Sequence, residues 1–459
     1  MLRIFVRVLG FSILLLSACT ATYPPPAPLR LSEALYQSTD DSQMAIAMDS
    51  GGGKHIVRVE CKIDTGSSCR VIYEVTHTGE QGIYKVYTPA SDYTFRNPDV
   101  AVTDSGLAIV IWQNCPASDS ATRLCSTWFV RSNDLNSLAV LDLGTHSLSA
   151  PIIASRGEII YAVHEVTIGA AGSALRYCKV SDAPYTCYWV SNHPAPDDGV
   201  RRMNAAAAVS GSGSLHIAWL EGVGSSKTAY SNDNYGAINA DMAKMKNLGY
   251  APFFPPAVAI ETDDTYYYIA MATNENTSDH LTMYYCIPSN CNIGGIREVD
   301  LQVAKQWYLF SSPSITAGPN WALVGFSAVN TDHPTQSDIY WYTYKAGEAT
   351  PSVSRPYPTT LQDYSHDCDP VVALIEGWMS VGWHICGFPP SRDDIYLYDS
   401  VNGGRIIHAA NNFAGRGGFD MAANGDLVAG IWNETGTEGH ISTWLAFNSH
   451  MVWLPMVIR

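Results

Sequence analysis

Glu165 and Glu221 close two similar segments, GEIIYAVHE at 157–165 and GSGSLHIAWLEG at 211–222. Two carboxylates held roughly 5 to 9.5 Å apart, with their proton affinities pushed apart, are the machinery of glycoside cleavage. Segments of the same form end in Gln113, Asn274, His384, Asn433 and Glu434, and His164 precedes Glu165. His164 and His384 could act as acid–base groups or metal ligands, but the sequence supplies no third ligand for them. A second set of side chains stands just before short apolar runs: Tyr93, Arg96, Arg201, Arg202, His366, Asp367 and Arg416. Arginines there could bind a ligand carboxylate, and they could equally cap or pair locally. Seven residues form the candidate binding set: Arg96, His164, Glu165, Arg202, Glu221, His384 and Glu434. No catalytic residue is assigned within it.

Other chemistries have no motif here. There is no G-x-S-x-G elbow, P-loop or HExxH. GGG at 51–53 and GRGG at 415–418 read as turns between strands. Asp263-Asp264 and Asp393-Asp394 could hold a structural calcium, but they lack D-x-D-x-D-G spacing and read as solvated loop acids. No cofactor and no metal site is expected.

The elements that position these residues form a repeat. Short apolar runs begin at Met44, Pro98, Pro151, Asn204, Pro256, Pro313, Pro370 and Phe419, in steps of 54, 53, 53, 52, 57, 57 and 49 residues. Each is followed by a turn and a run of alternating apolar positions that ends on a bulky residue, often Trp. GLAIVIWQ at 106–113 and GWMSVGWH at 377–384 are examples. Alternation at period two is a strand signal. A Tyr/Trp-rich strand and a variable fourth segment complete each unit. Four strands repeated about eight times predict an all-β β-propeller of about eight four-stranded blades, with seven as the alternative. Runs such as MAIAM and NAAAAV lie innermost, because only small side chains fit where blades converge. In GSGSLHIAWLEG, Leu215, Ile217 and Trp219 share one strand face, and His216 and Ala218 face the opposite neighbour. Ring closure has two arrangements. Either MVWLPMVIR is the last blade's fourth strand, or the segment from Leu29 to Tyr36 supplies an outer strand to that blade.

The chain has 459 residues, is 46% hydrophobic and carries a net charge of −16. Arg3 and Arg7 precede an apolar run from Val8 to Leu16, too short to span a bilayer, which reads as an export signal. Leu16-Ser17-Ala18-Cys19 resembles the bacterial lipobox, which implies cleavage before Cys19 and lipidation of that cysteine. The expected organisation is a signal peptide at 1–18, a lipidated cysteine with a Pro-rich tether at 19–36, and one propeller domain at 37–459. Removing residues 1–18 takes the net charge to −18, which disfavours nucleic acid. The expected partners are the membrane, through the lipid, and a glycan or protein ligand. Ten further cysteines fall into five close pairs: Cys61/Cys69, Cys115/Cys125, Cys178/Cys187, Cys286/Cys291 and Cys368/Cys386. An even count in an exported chain reads as disulfides; zinc is disfavoured because no pair is CxxC.

The inner-strand tandem, followed by SDIYWYTY at 337–344 and RDDIYLYDS at 392–400, resembles the sialidase-like (BNR-type) propeller superfamily. No segment matches that superfamily's Asp-box. The tryptophan-docking repeat of the eight-bladed quinoprotein dehydrogenases and a WD dipeptide at blade ends are absent too. Phe95-Arg96-Asn97-Pro98 resembles the sialidase F/Y-R-I-P element, whose arginine binds the substrate carboxylate, with Asn97 in place of Ile. By position, Arg201 or Arg202 and Arg416 match the further arginines that the resemblance implies. The required Tyr–Glu pair cannot be placed. The resemblance implies a sialidase-like or other glycoside hydrolase; the missing catalytic set favours a binding or scaffold module instead. WLPMVIR also resembles a short apolar-basic tail of some exported bacterial proteins.

Overall fold

In the computed structural model, the described residues are 29–30, 36–38, 44–62, 69–77, 80–87, 93–116, 125–141, 149–168, 172–190, 199–223, 226–234, 242–249, 254–261, 263–275, 278–291, 295–301, 308–309, 311–329, 337–347, 352–354, 367–375, 378–385, 395–400, 405–410, 419–424, 427–435 and 441–449. The signal and tether region through residue 28 and the terminal MVWLPMVIR lie outside them. Apart from one short 3-10 turn at Pro288–Asn290, their regular elements are strands.

These strands form eight antiparallel sheets in chain order. The innermost strands are Met44–Met48, Tyr93–Val102, Ile152–Arg156, Arg201–Val209, Ala257–Ile260, Ser314–Gly318, Asp367–Ile375 and Phe419–Asn424. Each pairs with the strand that follows it. Each innermost strand also touches the innermost strand of the next sheet, and the last touches the first. The chain is therefore a β-propeller. The sheet of Phe419–Asn424 takes its fourth strand from Leu29–Arg30, with Leu29 opposite Leu445 and Arg30 opposite Trp444.

Apolar layers between neighbouring sheets form the core. Leu215, Ile217 and Trp219 pack with Val163 and Tyr177 of the third sheet. Ala218 packs with Tyr267, Ile269 and Met271 of the fifth, and the His216 ring lies 5.0 Å from that of Tyr267. One strand thus serves two seams through its period of two, as its alternation predicts. Three disulfides are formed, Cys115–Cys125, Cys178–Cys187 and Cys286–Cys291, each within one sheet. Cys69 and Cys368 are also disulfide-bonded. Cys61 stands opposite Cys69 in the ladder, and Cys386 lies outside the described residues.

Three of the proline-initiated runs start their strands directly after Pro151, Pro256 and Pro313, but two begin later than the strands that contain them. In the second and seventh sheets the inner strand starts at Tyr93 and Asp367, and Pro98 and Pro370 sit inside a register shift. The fourth sheet has the same shift between Met203 and Ala206. A bulge frees one residue from ladder bonding, so a proline without an N–H is tolerated there.

Candidate functional site

The inner-strand starts and second-strand ends share one face of the ring, here called the mouth. The turns joining inner to second strands make the opposite, hairpin face. In the three bulged sheets Asn97, Asn204 and Asp369 hold left-handed backbone at φ 50°, 52° and 45°. Such strain in non-glycine residues persists only where the surroundings impose it. Asn97 donates through Nδ2 to Gln113 Oε1 at 2.5 Å, and Gln113 donates to the Ser149 carbonyl at 2.7 Å. Asp369 Oδ2 stands 3.7 Å from Nε2 of the buried His384. Arg96, beside Asn97, is exposed.

The seam between the third and fourth sheets brings together three of the seven candidates, Glu165, Arg202 and Glu221, with Arg201. Alternation turns Glu165 toward the fourth sheet, and Glu221 turns toward the third with Trp219. Arg201 donates to both oxygens of the fully buried Glu165, at 3.0 and 3.4 Å. The buried Arg202 stands opposite Glu221 in the ladder, with Nε 3.3 Å from Glu221 Oε1. It also donates to the Ser173 carbonyl at 3.1 Å, and the Trp219 indole donates to Glu221 Oε1 at 3.1 Å. Two consecutive arginines of one strand thus meet two acids from adjacent sheets.

His164 is elsewhere. It occupies the register position that Trp112, Trp219 and Trp383 hold in other sheets, facing the second sheet. It is 1% exposed, and neither ring nitrogen has a hydrogen-bond partner. Burial, aided by the Arg176 charge, depresses its pKa to about 3, so the ring is neutral. Glu434 lies on Leu427–Thr435, but its side chain is outside the described residues, as are Arg416, His366 and Asp393-Asp394. Asp264 is engaged on the hairpin face: Arg156 donates to its Oδ1 at 2.7 Å and the Gly211 N–H at 2.8 Å. Among the described residues no group of three His, Cys, Asp or Glu side chains could hold a metal ion.

Two polar sets were not singled out from the sequence. On the channel wall, Asp99 Oδ2 accepts the Ile153 N–H at 3.1 Å, and Asp420 Oδ2 accepts the Ile46 N–H at 3.0 Å. Ser314 accepts the Val372 N–H at 3.2 Å in the same way. An innermost strand has a free edge, and these side chains satisfy N–H groups of the next strand that no ladder reaches. Burial, reinforced by the nearby Asp420 charge, raises the Asp99 pKa to about 7; burial raises that of Asp420 to about 6. The signal was a polar residue in second place in PDVAV, PSITA and FDMAA. The other set is an ion network in the first sheet. Arg58 donates to Glu60 at 2.8 Å and to Glu74 at 2.6 Å, and Arg70 donates to Glu60 at 2.9 Å. Its signal was charge within the otherwise apolar KHIVRVE.

Comparison with known proteins returns fold likeness at low identity. A prolyl endopeptidase structure matches 90% of this chain at a TM-score of 0.51 and 11% identity, and the chain spans 55% of its length. The polysaccharide lyase Uly1 matches 85% of this chain and 94% of its own at a TM-score of 0.46 and 11% identity. The Trypanosoma rangeli sialidase in complex with sialic acid matches 80% of this chain and 55% of its own at 0.40 and 12%. No family model matches the chain, and no curated protein matches it. The resemblance to sialidase-like propellers is thus generic. It concerns the fold alone.

Proposed function

We propose that this chain is an exported lipoprotein, anchored through Cys19, whose propeller binds a glycan or protein partner across its mouth. Three intrachain disulfides fit an oxidising compartment, and the lipobox-like Leu16–Cys19 segment supports the anchor. One observation favours binding over hydrolysis: the two acids best placed for catalysis are already occupied. Both oxygens of Glu165 accept from Arg201, and Glu221 accepts from Trp219 beside Arg202. A general acid must deliver a proton to the leaving oxygen, and a carboxylate saturated by donors is poorly disposed to do so. Arg201 and Glu221, half-buried at this seam, suit recognition, since ordered polar side chains on rigid strands bind hydroxyl-rich or peptide ligands without reorganising.

A glycoside hydrolase is the second reading, because Glu165 and Glu221 do project into one seam. A glycan array run beside a fluorogenic glycoside panel separates the two. Binding without turnover, weakened at least tenfold by Arg96→Ala or Arg201→Ala in folded protein, is the expected result. Turnover abolished by Glu165→Gln or Glu221→Gln would replace it with the hydrolase.

A further inference from the structure

We infer that the hairpin face looks toward the membrane and the mouth looks away from it, an inference that rests on the proposed anchor at Cys19. Strand polarity carries it. Inner strands run from the mouth to the hairpin face, second strands return, and third strands run to the hairpin face again. Ile441–Ser449 is such a third strand, antiparallel to Leu427–Thr435. Leu29–Arg30 lies antiparallel to it, with Leu29 opposite Leu445 and Arg30 opposite Trp444. The chain therefore travels toward the mouth as it passes from Leu29 to Arg30, and it reaches Leu29 from the hairpin side.

Chain length sharpens this. The ten residue steps between Cys19 and Leu29 reach at most about 35 Å. That reach bounds the gap between Leu29 and the lipid surface.

The face presented to the membrane is polar. Ser50, Asp104, Glu158 and Asp263 are exposed in its turns. Ile287, the exposed large hydrophobic among the described residues, stands singly at a third-to-outer turn on that side. One side chain does not anchor a protein, and exposed acids repel an anionic lipid surface within a Debye length of about 8 Å. The surface fits a bilayer held at a distance by the tether, with the binding mouth turned to whatever lies beyond.

Energy transfer to acceptor-labelled lipid tests the orientation. Asp104→Cys carries a dye on the hairpin face and Ala150→Cys one at the mouth; both parent residues are exposed and sit in adjacent sheets. The two sites differ by about 20 Å in height. A chain of residues 20–459 with an N-terminal hexahistidine in place of Cys19 is docked on vesicles containing nickel-chelating lipid. At least two-fold greater transfer from residue 104 is expected, and equal or greater transfer from residue 150 would overturn the orientation. Incorporation of an alkyne fatty acid, abolished by Cys19→Ser, is read separately in the full chain. Its absence removes the anchor and with it the orientation in the cell. The vesicle ratio still judges the polarity of the strand.

Discussion

Asp99 and Asp420 are the residues whose chemistry departs furthest from what their neighbours in sequence suggest. Both pKa values are raised, to about 7 and about 6. An acid whose folded pKa exceeds its unfolded value near 3.8 favours folding most below that unfolded value. Its contribution is lost as pH rises through the folded pKa. Stability should therefore fall between about pH 4 and 7 on account of this pair. Asp99→Asn removes the charge and keeps one acceptor for Ile153. Urea unfolding across pH should show the wild type losing on the order of 4 kcal/mol relative to the variant by pH 8. Parallel pH profiles for the two proteins would rule this out. At the mouth, the arginines and acids were legible as a set. Their pairing was not, because nothing in a strand's alternation says which acid an arginine on the next strand will meet.

At the scale of the strand, the repeat was legible because each sheet must bury two faces. That demand imposes period-two apolar patterning eight times over. The bulges were hidden. A proline at a run's start reads as a strand beginning, yet Tyr93–Val102 and Asp367–Ile375 run through it. Close approach between sheets was hidden as well. A Cβ added at Gly382 would lie 2.3 Å from Phe419 Cζ and 2.7 Å from Met421 Sδ, in the next sheet's inner strand. Gly325 is similar, 2.7 Å from Val372 Cγ1. Gly382→Ala should therefore cost about 1–3 kcal/mol by forcing apart the seam between the last two sheets, measured as a lower denaturant midpoint. An unchanged midpoint would mean that Phe419 and Met421 repack freely.

For the whole molecule, strand order matters more than any one contact. Leu29–Arg30 pairs with the strand ending at Ser449, so the first and last of the described strands meet in one sheet. Removing residues 29–31 should expose the edge of that sheet and lower the melting temperature by several degrees, about 1–2 kcal/mol. Far-ultraviolet circular dichroism should stay close to the parent's. A melting point equal to the parent's would show that the pairing adds nothing to stability. Composition, apolar period and cysteine spacing were enough to read the fold class and three of the five expected disulfides, because burial periodicity and covalent pairing within one sheet are local demands on the chain. The site depended on the third dimension. Glu165 and Arg201, or Asp99 and Ile153, lie on different sheets, and only the curvature of the ring brings them within hydrogen-bonding distance.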